Sequence, residues 1–165
     1  MKSSNEIRFI KDRHLQGIEI CSVTESSHIF PKHSHESIYA VSLMEYGGSY
    51  WYGSDKSSSL VEPGNMAIIN PGQLHSGEPA RNRQSSYKMI YLDKNLFTLK
   101  GETPVFKNIL KKNKNLPRLF RNLYDSVQNS SDILEKEIYL TEFTGTMLSD
   151  YSFPSKKTEK AGHEN

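Results

Sequence analysis

Three of the six histidines stand where imidazole chemistry is possible. His33 and His35 lie two apart in "FPKHSHES", and His75 follows a Pro-Gly turn in "NPGQLHSG". On an extended chain an i, i+2 pair presents both rings to one face. Two such rings and a third from a distant strand are how a small β-barrel builds a three-histidine metal site. The same rings can instead wall a ligand pocket or stand exposed at a barrel rim. A metal site would also call for an oxygen ligand soon after His35. Glu36 has the wrong strand parity, and Glu45 has the right parity but lies ten residues beyond His35. The set His33, His35 and His75 is thus incomplete as a metal site, and no cofactor is expected.

The elements that would position these rings come in two kinds. Up to about residue 100, short runs rich in β-branched and aromatic residues alternate with turn signals, which predicts antiparallel strands. The runs are "GIEICSVTES" (17–26), "SIYAVSLMEY" (37–46), "SYWYG" (49–53), "MAII" (66–69) and "SYKMIYLD" (86–93). Gly47-Gly48 makes one turn, and "SDKSSS" (54–59) makes a polar loop. "EPGN" and "NPGQ" place proline and glycine at the centre of type II turns, where proline presets one φ and glycine accepts the positive one. Strands at this spacing form a sandwich or barrel.

After Thr103 the pattern becomes helical. "LPRLFRNLYDSVQ" (116–128) sets Leu116, Leu119, Phe120, Leu123 and Val127 on one stripe, with Pro117 in the first turn. In "DILEKEIYLTEFTGTMLSDY" (132–151), Asp132 is the expected N-cap with Glu135 three residues on. The apolar face of that helix is wider than a lone surface helix needs. The short link "NSS" predicts an antiparallel pair. The end, "SFPSKKTEKAGHEN", is aperiodic and charged, and reads as a linker or disordered tail.

Composition narrows the function. The 165 residues carry a net charge of only +2, too little for a nucleic-acid binder as a whole. The one basic run (Lys107, Lys111, Lys112, Lys114, Arg118, Arg121) reads as a solvated surface. A single cysteine, Cys21, excludes an intrachain disulfide and fits a reducing, cytoplasmic setting. No apolar run approaches a membrane span, the start lacks a signal-peptide core, and mean hydropathy is −0.65.

The order of motifs resembles a known family. An H-x-H, a strand ending at a Gly turn, "EPGNMAIINPGQLHSG" and the aromatic strand "YKMIYLD" are similar to the effector-binding and dimerisation domain of AraC-family transcription regulators. The resemblance covers roughly residues 28 to 151. It implies a mainly β fold with C-terminal helices, a cupin-like double-stranded β-barrel (jelly roll) followed by an antiparallel helical hairpin. Residues 1–103 would form the barrel with an N-terminal arm, 104–152 the helical dimerisation segment, and 153–165 the linker or tail.

The resemblance further implies a small-molecule effector, a sugar being the family-inspired guess, and a homodimer through the C-terminal helices. DNA would be bound only by a separate helix-turn-helix module not in this chain. No enzyme activity and no membrane association are implied, and the N-terminal arm would order over the effector. Metal-binding cupins place a carboxylate three or four residues after the second histidine, where this chain has Ile38 and Tyr39.

With His33 and His35 taken as inward-facing, strand parity carries Tyr39 and Glu45 inward as well. On the closing strand Tyr87, Met89 and Tyr91 share a face. The expected ligand-binding set is therefore His33, His35, Tyr39, Glu45, His75, Tyr87, Met89 and Tyr91. Leu140, Phe143, Met147 and Tyr151 are the expected dimerisation residues. The rival from another class is a stand-alone cupin metalloenzyme, a dioxygenase or isomerase using the three histidines.

Overall fold

The computed structural model of the chain describes residues 6–53, 58–97, 101–110 and 115–153. Residues 54–57 of the polar loop read at 54–59, Lys111, Lys112, Lys114 and the tail beyond residue 153 lie outside the described residues, while Ser58 and Ser59 are strand rather than loop.

Among the described residues eleven strands precede the helices: β1 (Glu6–Lys11), β2 (Ile18–Ser26), β3 (Phe30–His33), β4 (Ile38–Tyr46), β5 (Ser49–Tyr52), β6 (Ser58–Val61), β7 (Met66–Ile69), β8 (His75–Pro79), β9 (Ser85–Asp93), β10 (Val105–Phe106) and β11 (Ile109–Leu110). The helices α1 (Asn115–Gln128) and α2 (Ile133–Tyr151) follow, and a short β12 (Ser152–Phe153) pairs back with β10. A six-stranded sheet runs in the order β1-β2-β9-β4-β7-β11, and a four-stranded sheet runs β3-β8-β5-β6. This is the double-stranded β-barrel with two C-terminal helices that the family resemblance implied, where the strand and turn pattern alone left sandwich or barrel open.

Each face of the six-stranded sheet has its own role, set by alternation. Ile18 and Ile20 of β2, Tyr39, Val41 and Leu43 of β4, Met66 and Ile68 of β7, and Ile90 and Leu92 of β9 form one buried cluster with the helices. From α1 it takes Leu116, Leu119, Phe120, Leu123 and Val127, the stripe read from the sequence. From α2 it takes Phe143 and Met147. The main apolar core thus lies between sheet and helices. The opposite face, carrying Ala40, Ser42, Met44, Tyr87, Met89 and Tyr91, looks into the barrel.

The helices start where the sequence indicated. The Asp132 carboxylate accepts from the Glu135 backbone N–H at 3.0 Å, satisfying one of the open donors of the first turn. One expectation about α2 needs correction: of the expected dimerisation residues Leu140, Phe143, Met147 and Tyr151, the middle two are not available to a partner. Phe143 and Met147 are fully buried against this chain's own sheet and α1, while Leu140 and Tyr151 pack on the same cluster. The broad apolar face of α2 is used at home. The apolar residues left in solvent are Ile133, Leu134 and Ile138, near its start.

Candidate functional site

A cavity of about 400 Å³ opens between the two sheets. That size suits a small organic molecule. Its inner wall is a grid fixed by strand register. Tyr91 lies between Glu19 of β2 and Ala40 of β4, Met89 between Cys21 and Ser42, and Tyr87 between Val23 and Met44. Phe30, Trp51 and Val61 come from the four-stranded sheet, and Phe9 of β1 reaches the rim, 56% exposed.

His33, His35 and His75 meet at one end of this cavity. Register pairs His33 of β3 directly with His75 of β8. The ring centroids are 4.2 Å apart for His33 and His75, 4.9 Å for His33 and His35, and 5.6 Å for His35 and His75. One ring nitrogen from each can be chosen so that all three lie within 4.8 Å of one another. His33 Nδ1 donates to the Pro31 carbonyl at 2.6 Å and His75 Nδ1 to the Gln73 carbonyl at 2.9 Å. A carbonyl only accepts, so these bonds fix the tautomer and leave each Nε2 lone pair available. Burial lowers the pKa of His75, only partly offset by its bond to Gln73, and burial with the nearby His33 lowers that of His35.

The turns read from the sequence are what aim these rings. Gly72, at φ +73°, sits at the positive-φ position of "NPGQ", and its N–H donates to the His35 carbonyl at 2.8 Å. The turn before His75 is thereby tied to the bend that carries His35. A second brace was not legible in the sequence. Asn70 Nδ2 donates to the Phe106 carbonyl, and the Phe106 N–H returns a bond to Asn70 Oδ1. Asn108 Nδ2 donates to the Ile68 carbonyl at 2.8 Å and to Gln73 Oε1 at 2.6 Å.

Of the sequence-predicted residues, His33, His35, His75, Tyr87, Met89 and Tyr91 all line the cavity. Tyr39 and Glu45 do not, which corrects the parity argument. The count of two breaks in the bend at residues 34–37, where the chain leaves the four-stranded sheet for the six-stranded one. Beyond that bend Ile38, Ala40, Ser42 and Met44 face the cavity. Tyr39 instead packs edge-on against Phe97 and Phe106 and donates its hydroxyl to the Pro104 carbonyl at 2.6 Å. Burial pushes that hydroxyl up to about 12. Glu45 reaches Lys88 at 3.5 Å, and Lys88 also lies over the Tyr124 ring of α1.

Sequence reading missed Phe9, Glu19 and Trp51. A single charge inside the alternating run "IEICSV" was the signal for Glu19, since an isolated carboxylate on an inward position needs a reason to be there.

The donor set fits a divalent transition metal: three imidazoles, two with the ring fixed by a backbone acceptor, as metal-ligating histidines usually are. No carboxylate joins them among the described residues. Glu36, the nearest in sequence, accepts from the Ser34 hydroxyl at 3.1 Å. No described helix is long and apolar enough to cross a membrane.

Comparison with known proteins gives one family match: the model of the AraC-like ligand binding domain matches residues 15–144. No curated protein matches the sequence. Among solved structures, a protein of Neisseria meningitidis is similar at 18% identity and TM-score 0.45, covering 56% of this chain and 88% of that one. A cupin-2 domain protein of Shewanella frigidimarina is similar at 18% identity and TM-score 0.43, covering 53% of this chain and 79% of that one. KdgF of Halomonas is similar at 13% identity and TM-score 0.44, covering 56% and 84%.

Proposed function

Because the chain belongs to the AraC-like ligand-binding domain family, we propose that it is the effector-sensing and dimerisation part of a cytoplasmic transcription regulator. The observation that carries this reading is the cavity between the sheets, walled by aromatic, apolar and histidine side chains. A small molecule enters it and is gripped by the Tyr87, Met89, Tyr91 face on one side and the histidine end on the other. Signalling follows by linkage: an effector that binds one conformation better shifts the population presented to a separate DNA-binding module. Two copies associate through the exposed start of α2. β1 plays the part of the arm, with Phe9 stacked on Tyr91 at a centroid distance of 6.3 Å.

A thermal-shift screen of sugars and small metabolites tests this. One or more compounds should raise the unfolding temperature saturably, and the shift should vanish on narrowing the cavity by Ala40→Phe. A library that gives no saturable shift, or a shift that survives Ala40→Phe, overturns the sensing role.

The convergence of three ring nitrogens supports a second reading, a cupin metalloenzyme. His33, His35 and His75 would hold a divalent metal, which would act there as a Lewis acid for a bound substrate. Elemental analysis of protein purified without chelator or histidine tag separates the two. Near-stoichiometric metal lost on His75→Ala would favour this reading, and metal-free protein would remove it.

A further inference from the structure

We infer that Glu19 makes this cavity a site for an organic cation, a molecule joining an apolar ring to a protonated amine. The inference rests on the cavity being a ligand site, as proposed above. Glu19 faces the cavity from β2, half-buried, directly opposite Tyr91 in the β2–β9 register. The Phe9 ring lies 21° from parallel to that of Tyr91, with centroids 6.3 Å apart, so the residue opposite Glu19 is one of an aromatic pair. No lysine or arginine lines the cavity among the described residues. Lys11, opposite Glu19 on β1, is exposed. Glu78 also lines the wall, but its carboxylate accepts from the Tyr52 hydroxyl at 2.6 Å. The backbone of Glu19 belongs to the sheet, but its carboxylate makes no hydrogen bond or ion pair among the described residues.

A bound cation gives the Glu19 carboxylate the counter-charge that no lysine or arginine of the wall supplies. The carboxylate's field is felt nearby. After burial, Glu19 is the next cause of the Cys21 thiol being pushed up to about 11, and it adds to the rise at the Tyr91 hydroxyl. An ammonium group placed here takes a charge-assisted bond from Glu19 and the faces of Phe9 and Tyr91 by cation–π attraction. The ring of the ligand then lies over Met89, Tyr87 and Trp51. A carboxylate or phosphate ligand would meet Glu19 with no lysine or arginine in the wall to offset it, and among the described residues only the histidine rings on its side.

Trp51 is the chain's one tryptophan and lines the cavity, so indole fluorescence reports on this site directly. Chelator-treated protein is titrated with phenethylammonium, 2-phenylethanol and phenylacetate, which share a ring and differ in end-group charge. The amine should bind about tenfold tighter than the alcohol, with the acid weakest. Glu19→Gln should bring the amine to the level of the alcohol and leave the alcohol unchanged. Phenylacetate binding as tightly as the amine overturns the inference, and so does amine affinity indifferent to Glu19→Gln. Should the variant fold poorly, the ranking of the three probes on the unaltered protein decides alone. A protein that answers sugars or acids in the thermal screen but none of these probes overturns this inference and leaves the sensing role standing. Silence in both experiments overturns both.

Discussion

At the scale of single residues, the histidine cluster ties stability to pH. His75 is buried and its pKa lies below the ordinary 6.5, so the folded state binds its proton less readily than the unfolded chain. The sign follows from linkage. Above about pH 6.5 both states hold the neutral ring and nothing is lost. As pH falls through that value the unfolded chain gains the proton first and stability drops, until the folded site titrates too. Chelator-treated protein should therefore lose melting temperature between pH 7 and 5, and His75→Gln should flatten that loss. Parallel profiles for the two proteins would refute the account. Tyr39 makes a contrasting test. Tyr39→Phe removes the bond to the Pro104 carbonyl and should cost about 1 kcal/mol in denaturant unfolding. Ligand-induced thermal shifts should be unchanged, because the ring faces the helices. Altered ligand affinity would place Tyr39 back at the site.

At the scale of elements, the site depends on segments with no chemistry of their own. The 105–108 stretch holds the "NPGQ" turn through Asn70, Gln73 and Asn108, and that turn delivers His75. Asn108→Ala strips partners from Ile68 and Gln73, and should cost about 1–3 kcal/mol. Zinc affinity, read by competition with a chromogenic chelator, should fall with it, since His75 loses its brace. Unchanged zinc affinity would show that the turn holds itself. Much of this layer was legible in the sequence. Alternation and turn residues located β2, β4, β5, β7 and β9, and helical spacing located α1 and α2. What escaped was relational. Parity is a local count, and it ended at the bend between β3 and β4, so Tyr39 and Glu45 were assigned to the wrong face. β10 and β11 are two residues long, too short to show any period, and the Asn70–Phe106 exchange spans 36 residues.

At the scale of the whole molecule, α2 faces two ways. Its inner side supplies Phe143 and Met147 to the core, and its first turns are locked by an ion pair across the fold. Lys136 Nζ lies 2.6 Å from Asp12 just beyond β1, with both side chains almost fully buried, at 4% and 3% exposure. The Asp12 carboxylate also accepts from the His14 and Leu15 N–H groups, so the pair is well satisfied. That anchor fixes which side of the helix start meets solvent, and on that side stand Ile133, Leu134 and Ile138. Leu134 and Ile138 are four residues apart, one helical turn, and together make an apolar strip that water is poorly suited to cover. A second copy laying its own α2 antiparallel would bury both strips by one symmetric contact. Leu134→Asp with Ile138→Asp should then shift the sedimentation mass from dimer to monomer. The melting temperature of the monomer should stay nearly unchanged, because neither side chain contributes to the core. Phe143→Ala, by contrast, should cost about 3–5 kcal/mol through the cavity it leaves in the core. A doubly substituted protein that remains dimeric would place the contact on another surface.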